Sequence, residues 1–184
     1  MTTTAHDVIT SKLERAFDTI DANQDGYLDW TDYQKLADRY LKAYKIDKGD
    51  RRARALTSFY QTYWLELLRH SGVQEEDRLT KMQFVAANRA ASVDTSRLNV
   101  ADGIGHVTFD VIDVNGDNEI SKDEFARALR DVWKVDAPDA MDTFTQLDTN
   151  GDGVISRQEF IRAAHEYFLS DNPDAPGSLF FGHV

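Results

Sequence analysis

The sequence predicts an all-α protein made of four helix–loop–helix units that pack as two pairs. Three observations lead to this prediction. Three twelve-residue stretches repeat one spacing of acidic, amide and glycine residues, and they begin at Asp21, Asp113 and Asp148. Apolar residues at helical spacing flank each stretch. A hydrophobic fraction of 41%, with 10 Phe, 7 Tyr and 3 Trp, is enough for a packed core in a chain of 184 residues.

The composition excludes several classes of function. There are 32 acidic and 21 basic residues, giving a formal net charge of −11. Nucleic acids and anionic membrane surfaces bind clustered cations, so neither is an expected partner. The chain has no Cys, hence no disulfide, thiolate metal site or cysteine nucleophile. Residues 1–7 lack a signal-peptide pattern, and no apolar run approaches the ~18 residues of a membrane span, so we expect a cytoplasmic protein.

The repeated stretches, 21–32, 113–124 and 148–159, have the spacing of the EF-hand loop. Oxygen-bearing side chains stand at positions 1, 3 and 5, an aliphatic residue at 8 and a carboxylate at 12. Calcium prefers six to eight oxygen ligands at about 2.3–2.6 Å, and position 7 supplies a backbone carbonyl. The pattern therefore predicts three calcium sites. The predicted ligands are Asp21, Asn23, Asp25, Tyr27, Asp29, Asp32, Asp113, Asn115, Asp117, Glu119, Glu124, Asp148, Asn150, Asp152, Val154 and Glu159.

Two of the loops depart from the pattern. Asn118 replaces Gly at position 6 of loop 113–124, where the backbone turns with φ > 0; Asn tolerates that conformation next best. Asp32 replaces Glu at position 12 of loop 21–32, and Asp is one methylene shorter. Single-oxygen ligation would favour a smaller, six-coordinate ion, so this loop is expected to bind Mg²⁺ or to bind Ca²⁺ more weakly. Asp29 at position 9 could compensate directly or through a water.

Loop 21–32 needs a partner, because EF-hands normally pair through their position-8 residues. The best match is the stretch 72–83, with Leu79 at position 8 and a capping box, Thr80 with Gln83. Its ligand positions hold only one carboxylate, Glu76. We therefore interpret it as a degenerate hand without metal. The predicted domains are an N-terminal pair, 1–92, and a C-terminal pair, 93–184, with the C-terminal tail packed on the core.

The helices follow from apolar spacing and capping signals. In the first half, helix 7–20 places Leu13 and Phe17 on one face, helix 30–44 leaves the first loop, and helix 51–70 carries a row of aromatic residues. The remaining predicted helices are 81–91, 95–112, 121–133, 138–147 and 157–169. Those at 121 and 157 begin at capping boxes opened by Ser121 and Ser156. Residues 170–177 break helices repeatedly before the apolar residues 179–181.

These features resemble the sarcoplasmic calcium-binding protein family, including its calerythrin-like and calexcitin-like members. The resemblance rests on four hands with a silent second hand, a long insertion between the first two, and the C-terminal sequence Leu179-Phe180-Phe181-Gly182. It implies two lobes packed face to face, a tail covering the shared core, and cytosolic calcium buffering, sometimes with a signalling role. It also implies the ligand positions given above, with Asp32 and Asn118 as the departures.

Photoproteins and coelenterazine-binding proteins share the same pattern of hands and hold a luciferin between the lobes. Aromatic residues that could line such a cavity are Tyr60, Tyr63, Trp64, Trp133 and Phe168. Helix-spaced aromatic residues usually form a solid core, and we favour that interpretation here. The five His show no catalytic spacing, although His165 lies within the last helix, so we do not expect an enzyme.

The choice between a buffer and a sensor depends on the surface that calcium would expose. Sensors use flexible, Met-rich grooves. This chain has three Met, including Met1, and the linker 91–95 is too short to separate two lobes. We therefore expect a monomeric calcium buffer whose folding is coupled to metal binding. A sensor acting on a protein partner is the alternative; the sequence identifies no such partner.

Overall fold

The structure of the protein, a computed structural model, describes residues 7–73 and 77–181. Its helices are α1 Val8–Ile20, α2 Trp30–Ala43, α3 Arg51–Ser71, α4 Lys81–Val93, α5 Val100–Ile112, α6 Lys122–Arg127, α7 Ala137–Leu147 and α8 Arg157–Leu169. Short strands are β1 Tyr27–Asp29, β2 Arg78–Thr80, β3 Glu119–Ile120 and β4 Ile155–Ser156. In the described part of the chain, no helix is long and apolar enough to cross a membrane. The predicted all-α fold is confirmed.

Two antiparallel bridges join the helix–loop–helix units in pairs. β1 pairs with β2, with Leu28 opposite Leu79. β3 pairs with β4, with Ile120 opposite Ile155. All four of these position-8 side chains are fully buried, so each bridge is anchored in the core. Leu79 thus pairs as the sequence predicts, whereas Gln74 and Glu76 of the second hand lie outside the described residues.

The helix that leaves each loop begins at a capping box. The side chain of the N-cap residue accepts a hydrogen bond from the third backbone N–H of the helix, and the third residue's side chain accepts one from the N-cap N–H. The four boxes are Asp29 with Asp32, Thr80 with Gln83, Ser121 with Glu124, and Ser156 with Glu159. In three of them the third residue is also the proposed closing ligand, so cap and site share one carboxylate.

An aromatic core joins the two halves of the chain. Tyr33 packs against Tyr60, Tyr63 and Trp64, with ring centroids 5.6–5.9 Å apart. The indole N–H of Trp133 donates to the Tyr40 hydroxyl at 2.8 Å, linking α2 to the segment after α6. These side chains are all at least 95% buried. The faces that the hands turn toward one another are therefore packed apolar surfaces.

The C-terminal segment lies against α1, α7 and α8. Its short 3₁₀-helix, Pro176–Leu179, precedes the buried Phe180 and Phe181. Phe181 stacks on Trp133 with a centroid separation of 3.9 Å. The ammonium of Lys12, a residue of α1, donates to the carbonyls of Glu166 and Ser170 at 3.0 and 2.8 Å. Burial lowers the pKa of Lys12 to about 8, although the charges of Asp171 and Glu166 oppose this shift.

Two predicted helices differ from the structure. The helix predicted over 95–112 begins at Val100, because the Asn99 side chain caps it by accepting from the N–H of Asp102 at 3.1 Å. The helix predicted over 121–133 is α-helical only to Arg127 and continues as a π-helical turn, Ala128–Val132. That turn directly precedes Trp133, so it sets the position of the indole in the core.

Candidate metal centres

Each of the three acidic loops folds around its own side chains in the same way. The position-1 carboxylate accepts a hydrogen bond from the N–H of position 6; the distances are 3.0 Å for Asp21 with Gly26 and 2.9 Å for Asp148 with Gly153. The position-5 carboxylate accepts from the N–H of position 7 at 2.9–3.1 Å. These bonds hold the loops in tight coils, and in each loop the Asn side chain at position 3 donates to the position-5 carboxylate at 3.0–3.1 Å.

Backbone conformation at position 6 makes the coil possible. Gly26 and Gly153 have φ values of +83° and +86°, and Asn118 has φ of +63°. The Asn118 N–H donates to Asp113 at 2.9 Å, so this loop closes as the glycine loops do. Asn118 therefore adopts the left-handed conformation that its position requires, as the sequence predicts.

The closing carboxylates of the two C-terminal loops reach across to the start of the loop. Glu124 Oε1 accepts from the N–H of Val114 at 3.1 Å, and its Oε2 accepts from Ser121 at 2.8 Å. Glu159 Oε1 likewise accepts from the N–H of Asn150 and the hydroxyl of Thr149. The role of Thr149 was not predicted; its position 2 in the loop is the only sequence signal that could have indicated it.

Asp32 closes its loop less completely. Among the hydrogen bonds of the described residues, its carboxylate accepts only from the N–H of Asp29, at 3.1 Å. Asp29 in turn caps α2 by accepting from the N–H groups of Thr31 and Asp32. The shorter Asp side chain therefore remains at the helix terminus instead of spanning the loop.

The electrostatics show acidic groups held close together. Burial raises the pKa of Asp32, and the negative charges of Asp29 and Asp21 act in the same direction, against a lowering hydrogen bond from the Asp29 N–H. Burial also raises the pKa of Asp113, reinforced by the charges of Asp117 and Glu124. A cation placed among these groups would relieve this repulsion.

The donor chemistry of the loops fits a hard divalent cation, which prefers carboxylate, amide and carbonyl oxygens. Side chains and backbone carbonyls at the predicted positions supply these oxygens, and the position-7 residues Tyr27, Glu119 and Val154 lie at or next to the bridges. Among the described residues, no group of three or more His, Cys, Asp or Glu side chains is gathered in a geometry that could hold a metal ion. Many of the carboxylate oxygens instead accept bonds from loop N–H groups.

The other candidate residues, His165 and the aromatic residues considered for a luciferin cavity, lie in contacts between helices and in the core. His165 contacts the carboxylate of Asp102 between α8 and α5, away from the loops. Tyr60, Tyr63, Trp133 and Phe168 line one internal cavity of about 20 Å³, to which Trp64 does not contribute. A space of that size holds about one water molecule. Two hydroxyls at its wall, those of Tyr33 and Tyr60, are buried without a hydrogen-bond partner among the residues that the structure describes.

Two models of known families match the parts of the chain that contain the three acidic loops. A family model described as an EF-hand domain pair matches residues 103–164, and one described as an EF hand matches residues 13–37. Calerythrin from Saccharopolyspora erythraea is 28% identical over 125 residues, covering 66% of this chain and 71% of calerythrin. The sarcoplasmic calcium-binding protein of Hediste diversicolor is 26% identical over 121 residues, covering 65% and 66%. Guanylyl cyclase-activating protein 1 from Gallus gallus is 29% identical over 118 residues, which cover 64% of this chain but only about half (53%) of that protein.

Solved structures show the same fold. A Streptomyces coelicolor calcium-binding protein superimposes with a TM-score of 0.72 at 24% identity, covering 89% of this chain and 99% of that chain. The amphioxus sarcoplasmic calcium-binding protein gives 0.71 at 17% identity, covering 95% and 97%. Coelenterazine-binding protein from Renilla muelleri gives 0.63 at 22% identity, covering 96% of each chain. The chain therefore contains EF-hand domains, at residues 13–37 and 103–164, and is similar in sequence to calerythrin and to sarcoplasmic calcium-binding protein.

Proposed function

We propose that the protein is an intracellular calcium buffer with three sites, at loops 21–32, 113–124 and 148–159, and that metal binding is coupled to its folding. The proposed ligands are those predicted from the sequence, with Mg²⁺ as a competing ion at loop 21–32. The hand at 72–83 is proposed to pair without binding metal. The two-domain division at residues 92 and 93 and the monomeric state belong to the same proposal.

The buried surface between the hands is the observation that carries the buffer assignment. Tyr40, Trp133 and Phe181 lie at its centre and are at least 94% buried. A sensor would need an apolar surface for its target, whereas here the C-terminal segment already covers it. Met82 and Met141 are 80% and 43% exposed and so lie outside this core. A bound cation neutralises the loop carboxylates that repel one another. Because the cation binds only the native state, binding stabilises that state and is therefore coupled to folding.

Two other functions are weaker candidates. A sensor role is supported by the similarity to guanylyl cyclase-activating protein 1, whose name describes action on a protein target. A luciferin-binding role is supported by the fold of the coelenterazine-binding protein. The internal cavity of about 20 Å³ is too small for such a ligand without movement of the core.

Native mass spectrometry combined with an apolar fluorescent dye tests the proposal. We expect three bound Ca²⁺ at saturation and a fall in dye fluorescence as calcium is added. A rise in dye fluorescence would indicate a sensor, and two bound ions would remove one loop from the assignment. Glu159→Gln should reduce the count by one. Glu119→Gln is the matched control, because position 7 offers only its backbone carbonyl, and it should leave the count unchanged.

A further inference from the structure

In each pair, a basic side chain of the second hand contacts the helix that enters the loop of the first hand. In the C-terminal pair it is Arg157, at position 10 of loop 148–159. Its Nη2 donates to Asp110 Oδ1 at 2.6 Å, and its guanidinium lies 4.2 Å from the ring centroid of Phe109. Its Nη1 is 3.4 Å from Nδ1 of His106. All three of these partners are on α5, the helix that enters loop 113–124.

The N-terminal pair repeats this arrangement. Lys81 occupies position 10 of the stretch 72–83, and its ammonium lies 2.6 Å from Asp18 and 5.6 Å from the ring centroid of Phe17. Asp18 and Asp110 each precede their loop by three residues, and Phe17 and Phe109 by four. The cation at position 10 thus makes an equivalent contact in both pairs, including the pair whose second hand is proposed to bind no metal.

Among the described residues, one contact of the position-10 cation is found only in the C-terminal pair. Arg157 Nε donates to the side-chain oxygen of Asn118 at 3.0 Å. Asn118 holds the position-6 turn at φ of +63°, and its N–H donates to Asp113 at 2.9 Å. In loop 21–32 the equivalent residue is Gly26, which has no side chain for Lys81 to hold. The loop whose position 6 is not glycine is therefore the loop in which a side chain of the neighbouring hand binds the position-6 side chain.

We propose that Arg157 is a positioning residue for the metal site of loop 113–124. Arg157 fixes the Asn118 side chain, Asn118 holds its backbone in the left-handed turn, and its N–H orients the Asp113 carboxylate. The affinity of loop 113–124 therefore depends on a side chain that loop 148–159 contributes. This inference rests on the proposed calcium sites and assigns how one of them is regulated by the other hand.

Titration with CaCl₂, followed by ¹H–¹⁵N NMR of the full chain, separates the sites. The position-6 amides of Gly26, Asn118 and Gly153 each report on their own loop. In Arg157→Gln, we expect the Asn118 midpoint to move to a calcium concentration about two- to tenfold higher, the range that one hydrogen bond supplies. The Gly26 midpoint should stay unchanged. In EDTA, the Asn118 amide should exchange with solvent faster in this variant than in the wild type.

Three further variants make the result specific. Arg162→Gln removes an exposed arginine of α8 and should leave the Asn118 midpoint unchanged. In an Asn118→Gly background, Arg157→Gln should shift the midpoint at residue 118 by less than twofold. Lys81→Gln should likewise shift the Gly26 midpoint by less than twofold, because only the contact to the entering helix is lost. Should Arg157→Gln not fold, Arg157→Lys keeps the charge beside Asp110, loses the Asn118 bond, and should give the same shift.

An unchanged Asn118 midpoint in Arg157→Gln would overturn the inference, as would an equal shift in the Asn118→Gly background. A Lys81→Gln shift as large as that of Arg157→Gln would assign the effect to the entering helix and would also overturn it. If none of the three amides responds to calcium in the wild type, the proposed function fails instead, so the two failures are distinguishable.

Discussion

The length of one side chain separates loop 21–32 from the other two loops. Glu124 and Glu159 accept hydrogen bonds both at the start of their loops and at the following helix. Among the described hydrogen bonds, Asp32 accepts only at the helix terminus. A carboxylate that spans the loop can offer both oxygens to one ion, whereas one held at the helix offers one. Such a difference distinguishes seven-coordinate Ca²⁺ from octahedral Mg²⁺.

Asp32→Glu should raise the preference of loop 21–32 for Ca²⁺ over Mg²⁺. We expect an increase on the order of tenfold, about 1.4 kcal/mol, because the added methylene allows bidentate closure. Isothermal titration with each ion measures the ratio. The reciprocal change Glu124→Asp is the matched control and should lower the ratio at loop 113–124. Ratios that stay constant in both variants would contradict the side-chain-length argument.

At the residue scale, the sequence predicts what is local to each loop. Ligand-type residues at positions 1, 3 and 5, the turn at Asn118 and the capping boxes depend on neighbours within twelve positions, so their spacing is enough to identify them. The contact from Arg157 to Asn118 joins residues 39 positions apart. It depends on the register of β3 with β4, which sets where α8 begins, and no local pattern reports it.

The C-terminal segment shows how one short element is fitted against a helix. Gly177 packs against α8, and its N–H donates to Glu166 Oε2 at 2.6 Å. A Cβ atom at this position would lie 2.2 Å from the carbonyl oxygen of Ala163 and 2.5 Å from Cβ of Glu166. Only glycine permits this approach. The segment then places Phe180 and Phe181 in the core.

Gly177→Ala should therefore displace the segment and lower the stability. Overpacking of this kind costs about 1–3 kcal/mol, which corresponds to a fall in Tm of roughly 2–12 °C for a chain of this size. Because Phe181 stacks on Trp133, tryptophan emission should shift toward that of an exposed indole. Gly49→Ala is the control: a Cβ there meets no atom of the described part of the chain within 4 Å, and Tm should not fall. Equal Tm values for the two variants would contradict the close packing.

At the element scale, the sequence predicts where helices exist better than how they end. Apolar spacing extends from 121 to 133, so it does not reveal the π-helical turn at Ala128–Val132. The tail contains Pro and Gly and is predicted to break helices, yet Pro176–Leu179 forms a 3₁₀ turn against α8. Both departures are decided by tertiary contacts with Trp133, Phe180 and Phe181, which only the folded chain brings together.

At the scale of the whole molecule, the charge is concentrated in the loops while the core is almost entirely aromatic and aliphatic. Ten of the 32 acidic residues are proposed to bind metal through their carboxylates, and the other 22 nearly balance the 21 basic residues. The core nevertheless contains ionisable groups, since six of the seven tyrosines are at least 96% buried. They are Tyr33, Tyr40, Tyr44, Tyr60, Tyr63 and Tyr167.

Burial raises the pKa of all six tyrosines above the ordinary value of about 10. A group whose pKa is higher in the folded state binds more protons there than in the unfolded state once the pH exceeds its unfolded value. The stability linked to these tyrosines is therefore fully present below pH ~10 and is lost as the pH rises above it. Each tyrosine contributes up to about 1.4 kcal/mol per pH unit to this loss.

We therefore expect one steep alkaline unfolding transition, in which tyrosinate absorbance at 295 nm rises together with the loss of helical circular dichroism. Tyr60→Phe should move the midpoint to higher pH, because it removes a buried ionisable group whose hydroxyl has no hydrogen-bond partner within residues 7–73 and 77–181. Tyr27→Phe is the matched control, since Tyr27 is only partly buried in β1 with its ring against Arg78, and it should not move the midpoint. Gradual ionisation of the six tyrosines with the helices intact would show that solvent reaches the core, and would contradict the closed packing on which the buffer assignment depends.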